Sequence, residues 1–210
     1  MKRVAIINYG NGNANSIRNC LHELGVDSIY TSDYKDISEA DYIILPGVGH
    51  HRAAMKSLEE NGLVSGLNRA VIDQGKPVLG ICLGMQLMTI HSEEGDSDGL
   101  GWIKCHTRRI DPSNTIKFKV PHVGWNSVEE EESSFLLNNL SLSSKPFYFC
   151  NAYAIDEIHP SIRNSSYTYD KNYIAHFEEG NIFATQFHPE KSQEHGLQIL
   201  KRFLSYSSSL

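Results

Sequence analysis

The sequence predicts an α/β fold built around a mostly parallel central sheet. Short apolar runs alternate with helical patterns over the first ninety residues, as expected of parallel strands that are covered on both faces. After residue 100, runs typical of β-strands are separated by turn residues, which indicates a smaller antiparallel sheet. The 210 residues contain no internal repeat and no evident linker, so we expect a single domain, residues 1–210.

The first half of the chain divides regularly into strands, turns and helices. Ile17, Leu21 and Leu24 recur at helical spacing, and Gly25 is a typical helix end. We predict strands at residues 4–7, 42–45 and 77–81, and helices around residues 17–24, 52–58, 63–73 and 83–91.

The second half contains shorter elements. Leu197, Leu200 and Leu204 share one face of a final helix, predicted at residues 193–204. We predict strands at residues 100–104, 115–120, 147–150, 173–177 and 182–186, with a hairpin turn at 179–181.

Charge and hydropathy exclude several function classes. The 19 basic and 25 acidic residues give a net charge of −6, which disfavours nucleic acid or an anionic membrane as partner. The longest charge-free apolar stretch, 77–90, is shorter than the roughly 18 residues that a membrane span needs. The cysteines form no CxxC pair, which argues against zinc and disulfides. The four cysteines are Cys20, Cys82, Cys105 and Cys150. We therefore expect a cytoplasmic protein.

The strongest local signal is the segment GICLG at residues 80–84, between a predicted strand and a predicted helix. It has the form of a nucleophile elbow, with a thiol in place of a hydroxyl. The amino terminus of the helix favours the thiolate of Cys82. The Leu83 N–H would face the oxyanion that forms when Cys82 attacks a carbonyl. A buried structural cysteine is the alternative interpretation.

A cysteine nucleophile needs a base and a group that orients the base. His188 and Glu190 follow the predicted strand 182–186, and residues two apart share one face if the chain stays extended. Pro189 restricts the backbone between them. We therefore expect Glu190 to hold the His188 ring while its other nitrogen faces Cys82. His-x-Glu alone is common on surfaces, and the elbow upstream makes the triad credible.

The segment PGVG at residues 46–49 follows the predicted strand 42–45. It lies at the strand end where open α/β sheets bind ligands. Its free amides could supply a second oxyanion donor or bind a carboxylate. A simple turn is the alternative interpretation.

Three segments together resemble the class I, triad-type glutamine amidotransferases: GICLGMQ at 80–86, QFHPE at 186–190 and PGVG at 46–49. The resemblance covers essentially the whole chain and implies a flavodoxin-like, three-layer fold. PHVGWN at 121–126 and IINYGNGN at 6–13 narrow it to the glutaminase subunits of imidazole glycerol phosphate synthase, in histidine biosynthesis.

The resemblance also implies the site. Cys82, His188 and Glu190 would be the catalytic triad that hydrolyses L-glutamine to glutamate and ammonia, with no metal or cofactor. Gln86 would contact the substrate, and the PGVG loop and Leu83 would serve the oxyanion. The implied substrate and oxyanion contacts are Gly47, Val48, Gly49, Leu83, Gln86, Asn151 and Ala152.

This chain departs from the family in two places. His50 and His51 follow PGVG where the family usually has an aromatic residue, and we expect both to be solvated loop residues. Asn151-Ala152-Tyr153 stands where the family has His-Ser-Tyr or His-Thr-Tyr. Only backbone contacts to the substrate carry over there.

The resemblance implies a (β/α)₈ cyclase subunit as the partner in a heterodimer. Ammonia would pass through a tunnel to the cyclase, which yields imidazole glycerol phosphate and an aminoimidazole carboxamide ribotide. The candidate docking residues are Asn11, Asn13, Arg18, Pro121, His122, Val123, Trp125 and Lys191.

Three alternatives stay open. A paralogous glutaminase could supply ammonia to an enzyme that amidates cell-surface sugars, and the two departures keep this alternative open. A Cys-His-Glu peptidase on a related fold would need neither PHVGWN nor Gln86. An inactive amidotransferase retained as a binding module conflicts with the intact set Cys82, His188 and Glu190.

Overall fold

The structure, a computed structural model, describes residues 2–10, 14–129, 133–138, 140 and 146–207. Asn11 and Asn13, two of the candidate docking residues, lie outside the described residues. The strands in chain order are β1 (Arg3–Ile7), β2 (Asp27–Thr31), β3 (Tyr42–Leu45), β4 (Val78–Ile81), β5 (Thr89–Ser92), β6 (Ser97–Asp98), β7 (Ile103–Arg109), β8 (His122–Asn126), β9 (Phe147–Asn151), β10 (Tyr153–Ala154), β11 (Arg163–Tyr169), β12 (Lys171–Glu179) and β13 (Ile182–Thr185).

The helices are α1 (Ala14–Glu23), α2 (Tyr34–Glu39), α3 (His51–Glu60), α4 (Leu63–Asn68), α5 (Leu83–Leu87) and α6 (Gln193–Phe203). A π-helical segment, Arg69–Asp73, continues α4, and a 3₁₀ turn, Pro189–Lys191, precedes α6.

A seven-stranded sheet forms the centre, in the order β11-β12-β13-β4-β3-β1-β2. The pairs from β13 to β2 are parallel, and β11, β12 and β13 pair antiparallel. A four-stranded sheet (β10-β7-β5-β6) and a two-stranded antiparallel sheet (β8-β9) complete the described strands. The prediction of a mostly parallel sheet with a smaller, largely antiparallel sheet is confirmed.

Helices cover both faces of the central sheet, which explains why its parallel strands are continuous apolar runs. Val4 and Ile6 of β1 belong to a core shared with α1 and α6. Ala5 and Ile7, which point the opposite way, belong to a core shared with α3 and α4. The result is a three-layer arrangement, and β1 is buried on both sides.

Two predicted elements are wrong. The helix predicted at 83–91 ends at Leu87, because the Thr89 hydroxyl donates to the Gln86 carbonyl at 2.8 Å and the chain continues as β5. The strand predicted at 115–120 is a turn, since Asn114 Oδ1 accepts from the N–H groups of Ile116 and Lys117.

Several elements were not predicted at all. The edge strands β2 and β11 and the strand β8 lack the continuous apolar run of a doubly covered strand. The short helix α2 depends on a cap, in which the Asp33 carboxylate accepts from the Lys35 N–H.

The three motifs singled out in the sequence follow three neighbouring strands. PGVG follows β3, the cysteine elbow follows β4, and the segment containing His188 follows β13. Because β13, β4 and β3 are adjacent and parallel, their carboxyl ends meet at one edge of the sheet.

Candidate active site

Cys82 lies on the turn between β4 and α5 in a conformation that non-glycine residues rarely adopt. Its φ is 55° and its ψ is −109°, and its N–H donates to the Thr185 carbonyl at 2.7 Å. Such a conformation persists only where the surroundings hold it. The hydrogen bond to β13 and the start of α5 fix the thiol at the edge of the sheet, as the elbow motif predicts.

The glycines of the elbow and of PGVG allow two backbone segments to pack against each other. A Cβ on Gly84 would lie 1.8 Å from the Leu45 carbonyl oxygen. A Cβ on Gly47 would lie 2.6 Å from the Leu83 Cβ. Neither position accepts a larger residue, so the glycine loop is held directly over the amino terminus of α5.

His188 and Glu190 form a buried pair next to the elbow. The His188 Nδ1 lies 2.8 Å from the Glu190 Oε1, and both side chains are nearly inaccessible to solvent. The contact is made across the 3₁₀ turn Pro189–Lys191, not along an extended strand. The Tyr148 carbonyl accepts from the His188 N–H at 2.9 Å, which ties this turn to β9.

The surroundings of His188 favour its protonated form. Burial alone would lower the pKa of His188, but the charge of Cys82 and hydrogen bonds to Cys82 and Glu190 outweigh burial and raise the pKa to about 10. A protonated imidazole beside a thiol is the arrangement that stabilises a nucleophilic thiolate.

A cavity of about 270 Å³ opens over Cys82. It brings together most of the residues predicted for the site, but Gly47 packs against Leu83 and does not line the cavity. The lining residues are Val48, Gly49, Cys82, Leu83, Gln86, Glu94, Pro121, Cys150, Asn151, Ala152, Tyr153, His188 and Lys191.

Amide side chains form the inner wall of this cavity. Gln86 Nε2 donates to the Tyr153 carbonyl at 2.9 Å and to Gln186 Oε1 at 3.0 Å. Gln186 Nε2 in turn lies 3.7 Å from the Cys82 Sγ. Asn151 donates to the Tyr153 carbonyl and to the Tyr167 hydroxyl, so its amide nitrogen is engaged inside the protein.

Glu94 is a cavity residue that sequence reasoning missed. It lies on the turn between β5 and β6, and its Oε2 accepts from the His51 N–H at 2.8 Å. No local motif marks this residue. Only the three-dimensional course of β5 and β6 brings Glu94 to the cavity.

His51 is not a solvated loop residue, contrary to expectation. It is the first residue of α3 and is fully buried, whereas His50 is exposed. Burial lowers the pKa of His51 to about 4, so its imidazole is neutral at pH 7.

The candidate docking residues do not all lie on the surface. His122 is buried and its ring centroid lies 4.0 Å from that of Tyr169, so its side chain is covered within this chain. Val123 and Trp125 are 56% and 48% exposed, as expected for alternate residues of a strand with one open face. Arg18 and Lys191 are exposed, and Pro121 lies at the cavity.

Fold and site together define a class of protein. The sequence model of the class-I glutamine amidotransferases matches residues 5–206. The chain belongs to the class I glutamine amidotransferase family and is a glutaminase-type enzyme.

The similar proteins are more specific. Over 96% of this chain and 98% of its own length, the protein named imidazole glycerol phosphate synthase subunit HisH 2 of Methanococcus maripaludis is 42% identical. Subunit HisH of Bacillus cereus is 43% identical over 95% of this chain and 93% of its own length. The structure of PurLQS from Thermotoga maritima shares the fold, with a TM-score of 0.72 at 20% identity over 98% of each chain.

The described part of the chain contains neither a metal-binding group of side chains nor a membrane-spanning helix. Its His, Cys, Asp and Glu side chains form no group that could hold a metal ion. Among the helices described, none has the length and apolar character to cross a membrane.

Proposed function

We propose that this chain is the glutaminase subunit of an imidazole glycerol phosphate synthase. It hydrolyses L-glutamine through a thioester at Cys82, as a single glutamine amidotransferase domain in the cytoplasm. The observation that carries the mechanism is the convergence of Cys82 and the buried His188–Glu190 pair on one cavity. The names of the relatives support the pathway.

In the first step, the Cys82 thiolate attacks the carboxamide carbon of glutamine. The oxyanion is stabilised by the N–H of Leu83 and by an N–H of the PGVG loop, each worth about 3–4 kcal/mol. The close packing of Gly47 and Gly84 supports this role, because it holds the loop over the start of α5.

In the second step, protonated His188 donates to the leaving nitrogen, and ammonia departs. Neutral His188 then takes a proton from the water that attacks the thioester, and glutamate is released. Glu190 keeps the imidazole oriented throughout, through its 2.8 Å contact with Nδ1.

The amino-acid end of glutamine would occupy the far side of the cavity. Glu94 supplies a carboxylate for the ammonium group of the substrate, and Gln86 lines the wall beside it. Lys191 and backbone groups at Val48, Gly49 and Ala152 suit the carboxylate of the substrate.

Replacing the nucleophile tests the mechanism. Cys82→Ala should lower glutamine hydrolysis by roughly 10⁶-fold, to background, because no other group forms the thioester. Glutamate release is the measurement, and Cys105→Ala, a buried cysteine outside the cavity, is the matched control. Substantial turnover by Cys82→Ala would overturn the triad.

The partner surface would lie around the cavity mouth. Val123 and Trp125 present exposed apolar side chains on β8, and Trp125 packs edge-on against Tyr148 of β9. The Lys191 Nζ lies 5.5 Å from the centroid of the Tyr148 ring. Together with Arg18 they offer an aromatic centre with a basic rim, to which a (β/α)₈ cyclase subunit would bind as a heterodimer.

Docking is tested with one variant on this surface and one elsewhere. Trp125→Ala should weaken binding of a histidine-pathway cyclase by about 2 kcal/mol or more, whereas Ile72→Ala should not. Ile72 is the matched control because it is 52% exposed and lies on the π-helical segment that precedes β4, at the opposite edge of the sheet. Equal affinities for both variants would contradict the proposed surface.

A second candidate is a paralogous glutaminase that supplies ammonia to a sugar-amidating enzyme. Asn151 and Ala152 at the cavity, in place of the usual His-Ser or His-Thr pair, favour it. We would measure glutamate release with and without a histidine-pathway cyclase and its nucleotide ligand. A rise of several orders of magnitude supports the histidine pathway, and no rise with a reactive Cys82 supports the paralogue.

A further inference from the structure

Two of the four cysteines share the cavity, although the mechanism uses only one. All four thiols are free. Cys82 and Cys150 both line the cavity, and Cys150 is the exposed one of the four. Cys105 is buried in the core outside the cavity, and Cys20 is half-buried on α1.

The position of Cys150 on β9 places it on the face of the strand that lies toward His188. Side chains alternate along this strand: Phe147 and Phe149 are buried, whereas Tyr148 and Cys150 are not. Residues two apart on a strand share a face. The Tyr148 ring centroid lies 6.4 Å from that of His188, so Cys150 lies on the face that Tyr148 presents to the catalytic histidine.

Cys82 and Cys150 are also in direct contact. The Cys82 Sγ lies 3.8 Å from the Cys150 carbonyl oxygen, so the nucleophile touches the main chain of the second cysteine.

We propose that Cys82 and Cys150 form a reversible intramolecular disulfide when the free subunit meets a peroxide. In the first step the Cys82 thiolate attacks a peroxide oxygen, so that an S–O bond forms and the O–O bond breaks. With hydrogen peroxide, hydroxide leaves and a sulfenic acid remains. In the second step the Cys150 thiolate attacks the Cys82 sulfur and displaces hydroxide, which takes up a proton and leaves as water.

The disulfide would inactivate the enzyme and at the same time protect Cys82 from irreversible oxidation. It removes the nucleophile and closes the cavity from its β9 side. It also stops Cys82 from proceeding to sulfinic acid, which thiols do not reduce. Cys150 pairs with Val123 of β8, within the proposed docking surface, so oxidation belongs to the free subunit.

The other cysteines lack the conditions for this chemistry. Burial raises the pKa of the Cys105 thiol to about 12, which leaves almost no thiolate at neutral pH. Burial and the nearby Glu190 raise the pKa of the Cys20 thiol. Cys105→Ala is therefore a control that should oxidise as the unmodified protein does.

The experiment treats the full chain with hydrogen peroxide, maps the peptides without reduction, and then adds dithiothreitol. The unmodified protein and Cys105→Ala should give a peptide pair linked through Cys82 and Cys150, lose glutaminase activity, and recover it on reduction. Cys150→Ser should give no such pair, accumulate sulfinic acid at Cys82, and stay inactive.

Two results would overturn the proposal. One is Cys82 sulfinic acid without the linked pair in the unmodified protein, and the other is a disulfide from Cys82 to Cys20 or to a second chain. Peptide mapping decides between these results even if the chain proves to have no glutaminase activity. Failure of the redox proposal is therefore distinguishable from failure of the proposed function.

Discussion

At the scale of the residue, Cys82 combines backbone strain with electrostatic support. Its positive φ places the thiol at the tip of the elbow, and the hydrogen bond from its N–H to Thr185 holds that geometry. The charge of Cys82 is the main influence that raises the pKa of His188 against the opposing effect of burial. The raised pKa of His188 thus keeps a protonated imidazole beside the Cys82 thiol.

Glu190 contributes to the same pair from the other side of the ring. Glu190→Gln removes the negative charge beside Nδ1 and replaces one carboxylate oxygen with an amide donor, so we expect kcat to fall by roughly 10²- to 10⁴-fold. The pKa of His188 is raised above its ordinary value of about 6.5, so His188 stays protonated until the pH approaches about 10. Without Glu190 the His188 pKa falls, and the alkaline limb of the kcat/KM profile should move to lower pH.

The pH–rate profile of glutamate release measures this shift. Glu194→Gln is the matched control, because Glu194 is an exposed carboxylate on the first turn of α6, four residues along the chain. An unchanged alkaline limb in Glu190→Gln would mean that Glu190 does not act on His188.

At the scale of the element, the elbow and the PGVG loop form one unit through backbone contact. Gly84→Ala would force a Cβ against the Leu45 carbonyl, so we expect a loss of about 3 kcal/mol of unfolding free energy together with lost activity. Gly25→Ala is the control: Gly25 has a φ of 70° but no atom within 4 Å of a Cβ. It should cost about 1–2 kcal/mol and leave kcat unchanged.

Urea unfolding and glutamate release, measured on both variants, check this prediction. A loss of stability in Gly84→Ala no larger than that in Gly25→Ala would show that the loop yields to the added Cβ without strain. The close approach of the loop to α5 would then have no energetic role.

The elements show which parts of the fold are readable from sequence. Buried parallel strands such as β3 and β4 were predicted, because a strand that is covered on both faces of the sheet consists of a continuous apolar run. The strand β5 was predicted as part of a helix, because its first residues continue an apolar pattern. The helix ends where the Thr89 hydroxyl donates to the Gln86 carbonyl. The edge strand β2 carries no such run.

The candidate site was more predictable than the fold around it. Cys82, His188 and PGVG lie in short motifs after strands, and adjacency of those strands brings them together. Glu94 and Cys150 reach the cavity through β5–β6 and β9, so their position depends on tertiary structure. The burial of His122 under three aromatic rings likewise has no local signature.

At the scale of the whole molecule, a buried polar cluster ties residues 133–138 to the central sheet. The Glu178 carboxylate on β12 accepts from the N–H groups of Phe135 and Leu136, at 2.9 and 3.0 Å. Ser134 Oγ and His176 Nε2 lie 2.5 and 2.9 Å from its Oε1. This segment packs against α6, where Arg202 donates to the Leu136 carbonyl, so Glu178 connects three parts of the fold.

The cluster predicts how stability depends on pH. Burial alone would raise the pKa of Glu178, but the hydrogen bond and charge of His176, with the donors of Leu136 and Ser134, lower it to about 2. An unfolded Glu titrates near pH 4.3. The contribution of Glu178 is therefore complete above that value and is lost as the pH falls toward about 2.

Glu178→Gln should cost about 3–5 kcal/mol at pH 7, because it leaves buried donors and His176 without their carboxylate. The difference from the unmodified protein should shrink as the pH falls from 5 to 3, where the native carboxylate loses its advantage over the unfolded one. Urea unfolding across this range is the measurement. Glu179→Gln is the control, because Glu179 is the exposed neighbour on the same strand, and it should show neither effect. A pH-independent difference for Glu178→Gln would show that packing, not charge, holds residues 133–138 to the sheet.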